Sequence, residues 1–273
     1  MRVFRPRPGA TMVELIVTIS ILGVVAAGLV RMMSAQSRFF SDHEGQVNAR
    51  RVARSPFTLM ISDIRMTDAD SGLVAAAADS FTIRVPYRIG ISCGPSAGAT
   101  TVALQPIDSL ALATASMAGY GWVDAGGAGH YVAGGTLAAG TGVTCFAAGI
   151  DTFPQPGLVT TITPTLGSAP SGTPVFLYQK VTYSIATSSI YPTAKGLFRR
   201  IGNGAAEEIT APLRVASAFQ YYPGGGGAAV SSPALGTTIL GVDLQLVGLN
   251  LRQVTNGKTQ SSPVETAIYF KNR

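Results

Sequence analysis

The stretch from Met12 to Val30, MVELIVTISILGVVAAGLV, decides how this chain is read. Among its 19 residues only Glu14 is charged. As a helix rising about 1.5 Å per residue it covers roughly 28 Å, close to the hydrocarbon thickness of a bilayer. The preceding segment, RVFRPRPG, is basic throughout, and Arg31 and Arg38 follow the apolar run. The positive-inside tendency therefore predicts a cytoplasmic N-terminus and a body on the other side of the membrane.

Three accounts of this segment compete. A secretory signal peptide has the same basic start, but its apolar region is shorter and does not open on a glutamate. An uncleaved signal anchor, fixing an extracytoplasmic periplasmic protein, fits the length. It leaves Glu14 unexplained, because a carboxylate at the bilayer centre costs about 2.5–3.5 kcal/mol and still costs something nearer the interface. The third account gives Glu14 a partner. Gly9-Ala10-Thr11-Met12-Val13-Glu14, running straight into the apolar stretch, resembles the signature of type IV prepilins.

That resemblance implies a membrane peptidase cutting after Gly9 on the cytoplasmic side. Ala10 becomes the new N-terminus, usually methylated in the family with its positive charge kept, and Glu14 becomes the fifth residue. The family model pairs this glutamate with the terminal amine of a neighbouring subunit. An ammonium and a carboxylate attract strongly where the dielectric is low, and separating them strands a buried charge. The family most often has phenylalanine or methionine where this chain has Ala10.

Composition fits a body held outside the cytoplasm. Hydrophobic residues make up 47% and charged residues 12% of the 273 residues, with Ala, Gly, Ser and Thr spread through the body. Half of the formal charge of +6 comes from Arg2, Arg5 and Arg7. The remaining basic density, between Arg31 and Arg65, reads as a solvated helix face rather than a nucleic-acid footprint. Cys93 and Cys145 are the two cysteines. In an oxidising compartment a disulfide closing that long loop is expected; two buried free thiols are the alternative.

Past Arg31 the pattern stays helical, with Phe39, Phe40, Val47, Val52, Leu59 and Ile64 spaced as one apolar face. Pro56 is expected to kink that helix or start a second one. Gly23 and Gly28 lie in the apolar part, either as points of local unwinding or as small residues for close packing. Strands are expected at Ser80–Tyr87, Val175–Ile185, Gly196–Ile201, Ala216–Tyr222, Ile239–Leu249 and Val264–Phe270. The predicted fold class is α+β, a long N-terminal helix followed by an antiparallel sheet. The divisions are a basic leader (1–9), a membrane-spanning helix (10–30), an amphipathic continuation (31–70) and a β-rich head (71–273). An insertion around 93–170 is read either as a second small sheet or as a decorated loop.

RVARSPFTLMISDIRMTD (Arg51–Asp68) is similar to the end of the first helix in J-type pseudopilins and W-type minor pilins. VTYSI, GLFRRI, a strand ending FQYY and the terminal AIYFKNR also look like that group. The resemblance implies a minor subunit that initiates or tips a type IV pilus or a type II secretion pseudopilus. Its implied partners are prepilin peptidase, other pilins or pseudopilins, the inner-membrane assembly platform and membrane lipid. It implies a single-pass bacterial inner-membrane protein, later incorporated in the filament. The competing function is a tip adhesin or DNA-binding subunit acting through the middle region.

No enzyme, cofactor or metal is expected. His43 sits among polar helix residues, and His130 in GAGHYV has no partners at triad or zinc spacing. Asp68-Ala69-Asp70-Ser71-Gly72, with Asp79 beyond, departs from a calcium loop in its glycine position and ligand number. A helix-ending turn is the simpler reading of it.

Overall fold

In the computed structural model the chain is a long helix standing on a curled antiparallel sheet. The structure describes residues 11–68, 71–96, 99–104, 117–124, 126, 129–140, 159–163, 171–234, 238–251 and 259–270. Helix α1 runs unbroken from Met12 to Arg54, straight through Gly23 and Gly28. Its last turns carry Arg51 and Arg54, where cations favour the negative end of the helix dipole. Pro56 does what its chemistry requires. The helix stops at Ser55, and α2 restarts at Phe57–Arg65 with Pro56 as its N-cap residue.

Among the described residues the sheet has 13 strands, all paired antiparallel. Two long ones are its spine: β2 (Ser80–Ser96) and β8 (Pro174–Thr187), in register from Ser80↔Ser184 to Ile91↔Pro174 across one bulge. Along its second half β8 pairs with β9 (Lys195–Ile201), and along its first half with β4 (Gly119–Val123). The sheet thus divides into two lobes on a shared spine.

The lower lobe contains β1 (Leu73–Ala76), β9, β10 (Glu207–Leu213), β11 (Ala218–Pro223), β12 (Ile239–Asn250) and β13 (Gln260–Tyr269). The expected alternation holds here. Phe81, Ile83 and Val85 of β2 and Val242, Leu244 and Leu246 of β12 point into one core, closed by Phe57, Met60 and Ile64 of α2. The upper lobe contains β3 (Ala99–Leu104), β4, β5 (Gly129–Ala133), β6 (Thr136–Gly140) and β7 (Val159–Thr163). Its core is separate, made by Val102, Leu104, Tyr120, Trp122, Val175 and Leu177. The described strands of the middle region therefore continue the same sheet, with an apolar centre of their own.

Helix packing departs from the sequence expectation. Phe39 and Phe40 are about two-thirds exposed, and Val47 and Leu59 are exposed as well. The face of α1 that meets the sheet is Gly45, Ala49 and Ala53, lying on β12 and β13. The reason is distance. At Gly248 of β12 a Cβ would fall onto the Ala49 carbonyl oxygen, and at Gly45 one would meet the Gln260 and Asn250 side chains. So close an approach of helix to strand leaves room only for small residues on both sides. Thr210 of β10 fastens the contact from the side, donating from Oγ1 to the Val52 carbonyl (2.9 Å).

Candidate functional site

From Met12 to Glu44 the helix stands clear of the head, apart from half-buried Asp42. At about 1.5 Å per residue that is some 50 Å of free helix. Its apolar part is long and apolar enough to cross a membrane, and none of it is buried. Its polar side chains are dealt with in two ways. Thr18 donates to the Leu15 carbonyl (2.9 Å) and Ser20 to the Ile16 carbonyl (2.8 Å), so both hydroxyls are satisfied within the helix. Such groups enter hydrocarbon at little cost, because they bring their own acceptors.

Glu14 is the exception. It lies in the first turn of α1, exposed, and no described residue pairs with its carboxylate. The helix start is built around it. Thr11 is the N-cap, its Oγ1 accepting from the Glu14 N–H (3.3 Å) while its carbonyl accepts from Leu15 N (3.2 Å). Thr11-Met12-Val13-Glu14 has the residue types and spacing of a capping box, a signal that the prepilin reading of the same residues leaves unused. The N-terminal dipole favours a carboxylate at that position. The cap and the helix dipole together keep the helix end well formed. Gly9 and Ala10, the expected cleavage pair, lie outside the described residues.

Cys93 sits in the upper half of β2 and is disulfide-bonded. Cys145 lies outside the described residues. No known family, characterised relative or solved structure matches this chain.

Three polar clusters in the head were not legible in the sequence. In the first, Asp63 of α2 accepts from Tyr183 Oη (2.6 Å) and from Arg199 Nη2 (3.0 Å) and Nε (3.2 Å), all at Oδ2. Burial, with the Asp63 carboxylate second, pushes the Tyr183 pKa far above its ordinary 10.0. Burial opposes the charge of Arg199, but Asp63 and Tyr183 outweigh it and raise the pKa. The cluster clamps α2 to β8 and β9.

In the second cluster the Arg84 guanidinium lies over the rings of Tyr131 (4.9 Å) and Tyr178 (5.6 Å), and Tyr131 donates to Asp68 Oδ2 (3.2 Å). Asp68 is thus engaged in holding the helix end against the upper lobe. Asp70, its companion in the calcium-like motif, lies outside the described residues. In the third, His130 pairs with Asp124 (2.9 Å) across the β4–β5 hairpin and stacks on Trp122 (5.0 Å). His43 stacks on Phe39 on the exposed helix (6.3 Å). Among the described residues no three His, Cys, Asp or Glu side chains converge as a metal site would need. Each cluster joins two elements of the fold; the apolar helix faces outward, with Glu14 unpaired among the described residues.

Proposed function

We propose that this protein is a prepilin-type subunit, cut after Gly9 by prepilin peptidase and built into a type IV pilus or type II secretion pseudopilus as a minor component. The observation that carries the proposal is Glu14, a carboxylate without a partner among the described residues, at the entrance of an otherwise self-satisfied apolar helix. A freed Ala10 amine on a neighbouring subunit is the partner the reading supplies. Pairing within the bilayer or filament core removes a penalty of a few kcal/mol, so it favours insertion next to a subunit already in place.

In this reading the apolar half of α1 first holds the subunit in the bacterial inner membrane, with the head outside the cytoplasm. There it meets the other pilins and the assembly platform. The subunit is structural, without catalysis or cofactor. A large two-lobed head suits a place at the initiating end of a filament better than a place along its shaft. The resemblance to J-type and W-type subunits points the same way.

Mass spectrometry of the mature protein is expected to find Ala10 at the N-terminus. A chain that still begins at Met1, or one cut near residue 35, would overturn the proposal. Glu14→Ala is expected to leave cleavage intact while reducing incorporation into filaments at least about tenfold, the equivalent of 1.4 kcal/mol. Normal filament incorporation of that variant would remove the pairing mechanism while leaving the cleavage claim standing.

A further inference from the structure

The outer face of the lower lobe carries a buried charge that none of the three polar clusters involves. Along β12, Val242, Leu244 and Leu246 enter the core, so Gly241, Asp243 and Gln245 turn to the opposite face. The register sets Tyr222 of β11 and Tyr269 of β13 on either side of Gly241, with Gln220 and Ala267 on either side of Asp243. Glu265 stands beside Gln245, diagonal to Asp243. Pro263, Glu265, Ala267 and Tyr269 of β13 are all exposed, as residues on an open face should be. Asp243 is not: it is only 2% exposed.

The two oxygens of Asp243 are treated differently. Oδ2 accepts from Gln245 Nε2 (3.0 Å), and Gln245 Oε1 accepts in turn from Gln220 Nε2 (3.4 Å). Oδ1 is buried and accepts no hydrogen bond from any described residue. Beyond Asp243 the tyrosine rings stack across Gly241, their centroids 5.6 Å apart and their planes 27° from parallel. Burial, and after it Asp243, Tyr269 and Glu265, push the Tyr222 phenol above its ordinary 10.0, as a carboxylate close to that ring would. Asp243 thus carries its charge into a patch bounded by Gln245 and Glu265 on one side and the tyrosine pair on the other. Among the described residues no cation pairs with Asp243 or Glu265. A buried carboxylate oxygen without a donor lowers stability until a donor reaches it.

We propose that this patch binds a guanidinium group, with Asp243 and Glu265 as its carboxylates and the Tyr222–Tyr269 pair as its aromatic wall. The unpartnered Oδ1 needs an N–H donor, which a quaternary ammonium lacks. A divalent metal needs more oxygen ligands than two carboxylates supply, and no third His, Cys, Asp or Glu converges on them among the described residues. Guanidinium meets both demands of the patch. Its plane stacks on an aromatic face while its fork of N–H groups reaches carboxylates, and it sheds water more readily than an ammonium does. Tyr269, 54% exposed, is the side chain that swings aside to admit it. The group comes either as a free guanidinium compound or as an arginine side chain of another polypeptide. The proposal requires neither cleavage after Gly9 nor filament formation.

The test is calorimetric titration of the full chain in detergent micelles with acetylated, amidated single residues. The arginine probe is expected to bind with a Kd of about 1 mM or tighter, and at least about tenfold more tightly than the lysine probe. Citrulline, of the same shape without the charge, is expected to give no binding. Asp243→Asn is expected to weaken the arginine probe about tenfold or more while the unfolding midpoint stays within about 2 °C. If that variant fails to fold, the exposed substitution Glu265→Gln must still weaken the arginine probe about threefold or more. A peptide with one arginine among glycines separates the sources: tighter binding than the single residue assigns the site to a polypeptide, equal binding to a free guanidinium compound. Equal binding of arginine and citrulline overturns the proposal, as does arginine binding indifferent to these substitutions. Displacement of the arginine probe by an equal concentration of calcium does so too. None of these outcomes bears on the cleavage site, which the mature N-terminal mass decides separately.

Discussion

Asp63, Tyr183 and Arg199 show how a single carboxylate fixes one element on another. Tyr183 and Arg199 both donate to one oxygen of Asp63, and Arg199 Nε also donates to Tyr183 Oη (3.2 Å). A hydrogen bond to a charged acceptor contributes about 1.5–3 kcal/mol, so Tyr183→Phe is expected to lower the unfolding free energy by that amount near neutral pH. The same residue sets a pH dependence. Its folded-state pKa lies above the ordinary 10.0, so the fold holds the phenol proton more tightly than the unfolded chain does. Stability is fully present below pH 10 and declines as the pH rises past it, by at most about 1.4 kcal/mol per unit for this group. Urea titrations across the alkaline range should show that decline becoming shallower in Tyr183→Phe. Tyr131 and Tyr221, likewise raised chiefly by burial, keep part of it.

The decisive contact between elements is the approach of α1 to β12 through Gly45, Ala49, Ala53 and Gly248. Gly248→Ala places a Cβ against the Ala49 carbonyl, backbone against which no side chain can yield. The expected cost is about 1–3 kcal/mol, read in a urea titration, with new protease cleavage between residues 45 and 56 as the helix lifts. This contact was invisible to an apolar-periodicity reading, because Gly and Ala score as weak or neutral there while Phe39, Phe40 and Val47 score strongly. What periodicity gave correctly were the places where burial follows hydrophobicity, such as Phe81, Ile83 and Val85, while proline chemistry gave the helix break at Pro56. The Asp63–Arg199 pair spans 136 residues of sequence, and no local pattern announces it. The Gly9–Glu14 segment is the opposite case. The proposed processing depends on neighbours in sequence, so a motif alone carries that reading, and the Thr11–Glu14 spacing signals the helix cap just as locally.

At the scale of the whole molecule, the two cores divide the head into lobes that share β2 and β8 and little else. Cys93 stands on the upper-lobe half of β2. A bridge from it to Cys145 encloses a loop of about fifty residues, which constrains the unfolded chain by about 4 kcal/mol in the chain-entropy account. Non-reducing peptide mapping is expected to recover these two cysteines in one linked fragment. Reduction should then loosen the upper lobe, raising amide exchange around Tyr120 and Trp122 while Val242 and Leu244 stay protected. Equal loosening of both lobes would show that they unfold as one unit.

Because α1 is unbroken from the membrane-length segment to its seat on the sheet, the head and Met12 stand at the two ends of one rod. Tension applied to the N-terminal end travels along the helix axis and arrives at β12 and β13 parallel to the contact surface. It loads Gly45, Ala49, Ala53 and the Thr210 fastening together, in shear, rather than peeling them apart in sequence. A protein built this way transmits a pull without lengthening, and its point of mechanical failure is the small-residue seat rather than the helix.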